Sequence, residues 1–326
     1  MPVTLSSEVS PKSGEYTRFT TTIVNAYIQG VMGEEINKLI GELRAGGYMR
    51  PLILAHNTGG MKKASRTRAV LTHNAGPVAG LHGAATLGRL AEQGNVVFTD
   101  MGGTSFDIGV VADGRLKAYD FIPVIDRWRT NIPAIEVKSI GAGGGSIAWI
   151  NRLMGDVLEV GPQSAGSQPG PACYDKGGTE PTVTDADLVL GYLNPDNYLN
   201  GKMMLDPDLA FEAIEAKVAK PLGIDVVEAA MRIRRLVDAK MGQEVFNEVA
   251  LKGYDPRDFV LLACGGAGPT HACGFAPYLG VTSVLASPYS PVFGAFGAST
   301  MNIQQVWDKS RTLKIFRWHD QSYLED

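Results

Sequence analysis

The sequence predicts an α/β protein, a mixed sheet with helices, interrupted by a glycine- and proline-rich insertion. Three observations carry that prediction. Apolar strands at 96–100 and 260–263 each run into a glycine turn, the first followed by another strand and the second by a helix. Long stretches of helical period lie outside them, at 18–46 and 225–251. Between them, residues 121–205 hold little helical pattern and two further glycine clusters. The expected organisation is an N-terminal helix and connecting segment over 1–94, a β-meander over 95–120, the insertion over 121–205, and a helical part of the same lobe over 206–326.

Each element has a local reason. Ile23, Tyr27, Val31, Ile36, Ile40 and Leu43 keep helical spacing, and Gly46 and Gly47 stop the helix. Residues 51–55 read as a short buried strand, followed by a polar turn at 56–60. Lys62, Lys63, Arg66 and Arg68 come next, either a solvated loop or the lining of an anionic site. A helix rich in small residues opens at Asn74 and reaches about Glu92, which suits close packing against another backbone. Residues 95–100 and 105–112 are strands, and Asp113 with Gly114 is a hairpin signal before a third strand at 115–120. The glycine cluster at 140–146 leads into an expected helix at 147–154. Prolines at 162, 169 and 171 lack a donor, so 160–174 is neither regular helix nor central strand and reads as a long ordered loop. Helices are expected at 207–219, 225–251, 270–276 and 293–301, with strands at 260–263 and 281–286.

Bulk composition narrows the function classes. The chain has 326 residues, 44% apolar, with a net charge of −4 and both signs interspersed. That affords a sizeable core and excludes global disorder. No basic run points to nucleic acid, and no apolar stretch is long enough to span a membrane. The first residues lack the pattern of a signal peptide. Three cysteines without a CxxC pair fit a reducing cytoplasm better than a disulfide scaffold or a zinc site.

The most informative stretch is Thr-Asp-Met-Gly-Gly-Thr-Ser-Phe-Asp at 99–107. Asp100 is placed to act on a metal or a water. Gly102 and Gly103 let the backbone approach an anion, and Thr104, Ser105 and the turn N–H groups can bond phosphate oxygens. Taken alone, the motif reads equally as a phosphate turn and as a plain hairpin. A P-loop is excluded because no GxxxxGK[ST] string exists. A dinucleotide fold is disfavoured because Gly141, Gly143 and Gly145 give only GxGxG without the expected strand and acid. The second turn, Gly265, Gly266 and Gly268 between a strand and a helix, suits close contact with an adenine or ribose.

The order of a small-residue helix, this first turn and the distant second turn resembles the ATPase superfamily of actin, sugar kinases and heat-shock chaperones. The strings at 99–107, 140–148, 160–174, 181–191 and 265–272 narrow it: together they resemble the hydantoinase A/5-oxoprolinase family over nearly the whole chain. That family holds ATP-dependent hydantoinases and oxoprolinases and the large subunits of acetone and acetophenone carboxylases. The resemblance implies an actin-like, ribonuclease H-like lobe, with ATP and Mg²⁺ as cofactors. It implies Asp100 at Mg²⁺ or at the attacking oxygen, Gly102, Gly103, Thr104 and Ser105 at the phosphates, and Gly265, Gly266 and Gly268 at the adenosine. It also implies a hydantoinase B-type partner subunit, because members work in multisubunit complexes. Members are about twice this length and begin with a first phosphate turn not found before residue 96. The chain is therefore expected to be the middle-to-C-terminal ATPase portion, with an N-terminal lobe missing.

Ring-opening hydrolysis of a hydantoin or 5-oxoproline is the activity expected, with ketone carboxylation as the alternative and a non-catalytic scaffold subunit as the reading from another class. Several side groups stay open. The Gly143–Gly145 loop reads as a sensor of substrate or nucleotide closure, with Gly143 and Gly144 as cofactor-binding positions, or as tight packing. Asp185 and Asp187 read as metal ligands or, preferably, with Thr184-Asp185 as a helix cap. His271 reads as a ligand contact or a packing histidine, and nothing in the spacing of His56 and His73 establishes a metal site. Cys173 reads as a buried small hydrophobe rather than a nucleophile, and Asp107 as a partner of the turn.

Overall fold

The computed structural model describes residues 3–119 and 122–304. Asp120, the expected end of the third meander strand, and the tail of the last expected part, 305–326, lie outside the described residues. The chain opens with α1 (Ser6–Val9), the 31-residue α2 (Glu15–Ala45) and a hairpin of β1 (Ile53–Ala55) and β2 (Met61–Lys63). Helix α3 (Ala75–Leu90) leads into β3 (Val96–Met101), β4 (Phe106–Ala112) and β5 (Arg115–Leu116). Two-residue strands β6 (Val124–Ile125) and β7 (Trp128–Arg129) pair with each other, β8 (Lys138–Ile140) returns to β4, and β9 (Ser146–Asn151) pairs with β10 (Val157–Ser164). The helices α4 (Val183–Val189), α5 (Pro207–Ile214), α6 (Lys220–Leu222) and α7 (Val226–Ala250) follow, with a π-helical turn between α5 and α6. Then come β11 (Val260–Cys264), α8 (Gly268–Phe275), β12 (Val284–Ala286) and α9 (Phe293–Thr300).

The main sheet has the order β12-β11-β3-β4-β5, with β8 also on β4. Strands β12, β11 and β3 run parallel, and β4 is antiparallel to β3, β5 and β8. It is therefore the mixed α/β sheet that the sequence predicts. Alternation along β3 divides its side chains between two layers. Val97 and Met101 join the core shared with Val237 and Met241 of α7 and Ala272 and Phe275 of α8. Val96 and Phe98 join the core on the other face, with Val78, Leu81 and Ala84 of α3 and Phe293 of α9. The small residues of α3 do what their size suggests. A Cβ on Gly297 of α9 would lie 1.8 Å from the Ala79 carbonyl oxygen, so these helices touch at the backbone.

Two expectations are corrected. Residues 147–154 are not a helix: β9 covers Ser146–Asn151 and only Arg152–Met154 makes a 3₁₀ turn. Ile147, Trp149 and Ile150 are β-branched or aromatic, and pairing with β10 outweighs the helical reading. Part of the expected loop at 160–174 is strand too, since β10 runs to Ser164. Pro162 is accommodated because this sheet has only two strands and its register shifts between Val160 and Ser164.

Candidate functional site

Asp100 at the end of β3 lies opposite Cys264 at the end of the parallel β11, so both glycine turns leave the same edge of the sheet. Ligand crevices of α/β sheets form at such carboxyl ends. A cavity of about 150 Å³ lies there, lined by Gly102, Gly103, Gly144 and Gly266 together with Tyr174 and Tyr198. The turns are fastened to each other. The Gly144 N–H donates to the Gly102 carbonyl at 3.0 Å, the Gly145 N–H to that of Gly103 at 2.7 Å, and the Ala267 N–H to that of Met101 at 3.1 Å. A Cβ on Gly143 would lie 2.7 Å from the Gly103 carbonyl carbon. Gly265 has φ +86°, and a Cβ there would meet the Asp100 carboxylate oxygen at 2.6 Å, so conformation and space both demand glycine.

Gly103 and Gly266 differ from these. Neither has a positive φ, and nothing lies within 4 Å of a Cβ at either position. Among the described residues, the N–H groups of Gly103, Thr104, Gly266 and Gly268 have no hydrogen-bond acceptor. The last two belong to the N-terminus of α8, where backbone donors and the helix dipole favour an anion. Asp100, Gly143, Gly265 and Gly268 pack behind the cavity-lining glycines, and Thr104 and Ser105 stand at the hairpin tip.

The sequence model of the hydantoinase/oxoprolinase family matches residues 18–305. The chain belongs to that family. Its relatives in the family include the acetophenone carboxylase gamma subunit of Aromatoleum aromaticum, 46% identical over 100% of this chain and 44% of that protein. The caprolactamase subunit alpha of Pseudomonas jessenii is 40% identical over 94% of this chain and 44% of its own length. Among solved structures, nucleotide-free acetone carboxylase superposes with a TM-score of 0.85 at 31% identity, over 91% of this chain and 41% of that one. ATP-dependent caprolactamase from Pseudomonas jessenii superposes with a TM-score of 0.75 at 41% identity, over 91% of this chain and 43% of that one. The chain spans less than half the length of these family relatives.

In this family member the acids of the first turn face each other, Asp100 opposite Asp107 across β3 and β4. Burial, and then the charge of Asp107, push the Asp100 carboxyl up to about 6. Burial also raises Asp107. Among the described residues neither acid has a cationic partner. Asp185 is occupied elsewhere: it accepts from the N–H groups of Thr182 and Cys173, each at 2.8 Å, and from that of Ala172 at 3.3 Å. The cap of α4 is Thr182 in a capping box with Asp185, not the expected Thr184-Asp185. Cys173 is buried, and burial together with Asp185 pushes its thiol up, so it is the inert hydrophobe expected. The cations at 62–68 and the histidines at 56 and 73 do not line the cavity. Among the described residues no three His, Cys, Asp or Glu side chains group as a metal site, and no helix is long and apolar enough to cross a membrane.

Sequence reasoning missed lining residues outside the glycine turns. Tyr174 and Tyr198 join hydroxyls at 2.9 Å, and Thr184 and Thr270 also line the cavity, as does Asp187, which the sequence offered only as a metal ligand or beside a helix cap. Tyr174, Thr184, Asp187 and Thr270 all sit inside the distinctive strings at 160–174, 181–191 and 265–272, which was the available signal. His271 does not line this cavity: it is fully buried against Asp187 and Asp238.

Proposed function

We propose that this chain is the ATP-binding part of an enzyme that phosphorylates an unreactive amide, imide or carbonyl-type oxygen in the ring-opening hydrolysis of a hydantoin or of 5-oxoproline. The observation that carries this reading is the side-chain space at Gly103 and Gly266, which neither packing nor backbone conformation requires. Open space ringed by unpaired backbone donors suits a polyphosphate. In this reading Gly102, Gly103, Thr104 and Ser105 cradle the β- and γ-phosphates, and Gly265, Gly266 and Gly268 approach the nucleoside. Gly143 braces the first turn from behind, and Gly144 lines the cavity beside it.

The donor set fits a hard divalent cation. Two facing carboxylates without a cationic partner among the described residues, one held near 6 by burial, are what Mg²⁺ would offset. Asp100 would hold it through water or orient the attacking oxygen. Mg²⁺ supplies neutralisation of phosphate charge, and the chain supplies position. The substrate oxygen bonds to the γ-phosphorus as the bond to ADP breaks; water then adds to the activated carbon, inorganic phosphate leaves with the former substrate oxygen, and the ring C–N bond breaks as its nitrogen takes up a proton. A cytoplasmic setting suits the free thiols of Cys173 and Cys264.

A second reading has its own support. The 46% identity to an acetophenone carboxylase subunit over the whole chain favours ketone carboxylation, with ATP activating an enol or bicarbonate. In either reading a hydantoinase B-type partner and the remaining lobe complete the site. Titration calorimetry with Mg-ATP, on the chain alone and on the complete protein, tests the proposal. Absence of ATP-linked heat in the complete protein, or binding unchanged by Asp100→Ala, overturns it. Full turnover by an assembled Asp100→Asn complex would make the chain a scaffold instead. Phosphate release with hydantoins, 5-oxoproline, or ketones plus bicarbonate separates the two activities.

A further inference from the structure

Behind the cavity wall four ionisable side chains close on one another. His271 is fully buried, and Asp187, Asp238 and Arg234 are each at least nine-tenths buried. The ring Nδ1 lies 2.6 Å from Asp238 Oδ1, and Nε2 lies 2.9 Å from Asp187 Oδ2. An ionised carboxylate only accepts, so the ring donates from both nitrogens, which only the imidazolium form can do. Arg234 completes the set. Its Nη1 bonds Asp187 Oδ1, its Nε lies 3.8 Å from Asp238 Oδ2, and its Nη2 donates to the Thr270 carbonyl. Two cations and two carboxylates leave no net charge, which is what makes such burial tolerable.

The quartet joins three helices: Asp187 on α4, Arg234 and Asp238 one turn apart on α7, and His271 on α8. Space has been cleared for it, since a Cβ on Gly274 would lie 2.0 Å from Asp238 Oδ2. The guanidinium also lies 3.8 Å from the centre of the Tyr192 ring. Two of its contacts reach the cavity, because Asp187 and Thr270 line it. His271 itself sits in the first turn of α8, just after the free N–H groups of Gly266 and Gly268.

We infer that His271 is a positioning residue for the proposed nucleotide site: as an imidazolium it ties the first turn of α8 and the Asp187 carboxylate to α7, holding Gly266, Ala267 and Thr270 at the cavity. The inference rests on the ATP reading for its ligand but not for its geometry. The charged groups that face the ring are Asp187 from α4 and Asp238 and Arg234 from α7. Other elements packed against α8 carry Asp100 (β3), Cys264 (β11) and Tyr278 (the turn after α8), none bonded to the ring among the described residues; β12 carries no titratable side chain. Burial alone lowers the ring's pKa, but the hydrogen bonds and charges of the two carboxylates outweigh it and bring it to about 9. The folded value is thus raised. The stabilisation is complete below the ordinary 6.5 and is lost as pH climbs through about 9. Deprotonation then sets a ring lone pair against a carboxylate.

Three measurements on the 326-residue chain test this: ¹⁵N NMR of the histidine rings, hydrogen exchange of 265–275, and the Mg-ATP dissociation constant, each followed from neutral to alkaline pH. The expected result is a ring protonated on both nitrogens at neutral pH and titrating near 9. Exchange at 265–275 should rise with the same midpoint, and the dissociation constant should rise roughly tenfold. Asp238→Asn should move these midpoints downward together, which a merely structural histidine would not do. A neutral ring at pH 7, or exchange and affinity that ignore the ring's titration, overturns the inference. If Asp238→Asn does not fold, the wild-type titration decides. If ATP binds at no pH either to the chain or to the complete protein, the nucleotide reading fails, and ring titration with exchange still decides whether His271 holds the turn.

Discussion

Single glycines separate packing from ligand space. Gly143 has the Gly103 backbone 2.7 Å from where its Cβ would stand, whereas a Cβ on Gly103 would meet nothing within 4 Å. Gly143→Ala should therefore cost about 2 kcal/mol of stability in denaturant titration. Gly103→Ala should fold like the parent and weaken Mg-ATP binding in calorimetry. Equal destabilisation by both would remove the case for ligand space at Gly103. Asp100 makes the complementary case. Its folded pKa of about 6 is raised above 3.8, so the folded state holds the proton more tightly and stability falls as pH rises through that interval. Asp100→Asn removes that cost and should raise stability at neutral pH by on the order of 1–2 kcal/mol while abolishing Mg-dependent binding. Thermal melts at neutral and acidic pH check it: the gain should shrink toward pH 4.

At the scale of elements, helix α4 depends on its start. Thr182 caps it, and the reciprocal Asp185 also anchors Ala172 and Cys173. Thr182→Ala should cost about 1–2 kcal/mol and expose the Cys173 thiol to a reagent that reaches only Cys273 in the parent, the one exposed cysteine. Helix α2 shows where sequence period and burial part. Its stripe beginning Ile23, Tyr27 and Val31 made the helix legible, yet these three residues are exposed, Tyr27 by 85%, and Thr20, Thr21 and Asn25 are buried instead. Tyr27→Lys should change stability by no more than about 0.5 kcal/mol. The glycine turns were legible because their spacing is local. The quartet was not, because its members lie on three helices, and only Arg234 and Asp238 share a helical interval. The strand at 146–151 was hidden by the glycines before it, and only its distant partner β10 makes it a strand.

Across the whole molecule, one sheet carries both cores and both turns. The side chains of β3 feed both layers, so the site and the cores share a foundation. A chain ending before residue 255 would lose β11, β12, α8 and α9, and with them much of each core. It should show no cooperative thermal transition, and a sharp melt from such a fragment would mean that the two halves fold independently.

The pairing of β3 with β11 also has a consequence in time. Thr99 Oγ1 donates to the Leu262 carbonyl across 163 residues of chain. On the ribosome, the first turn and its hairpin emerge long before their neighbour is made. Until then one edge of β3 stands open, carrying Val96, Val97 and Phe98 with unpaired backbone groups. The segment that completes the site is also the one that closes that edge, so a nascent chain is both inactive and adhesive until it arrives.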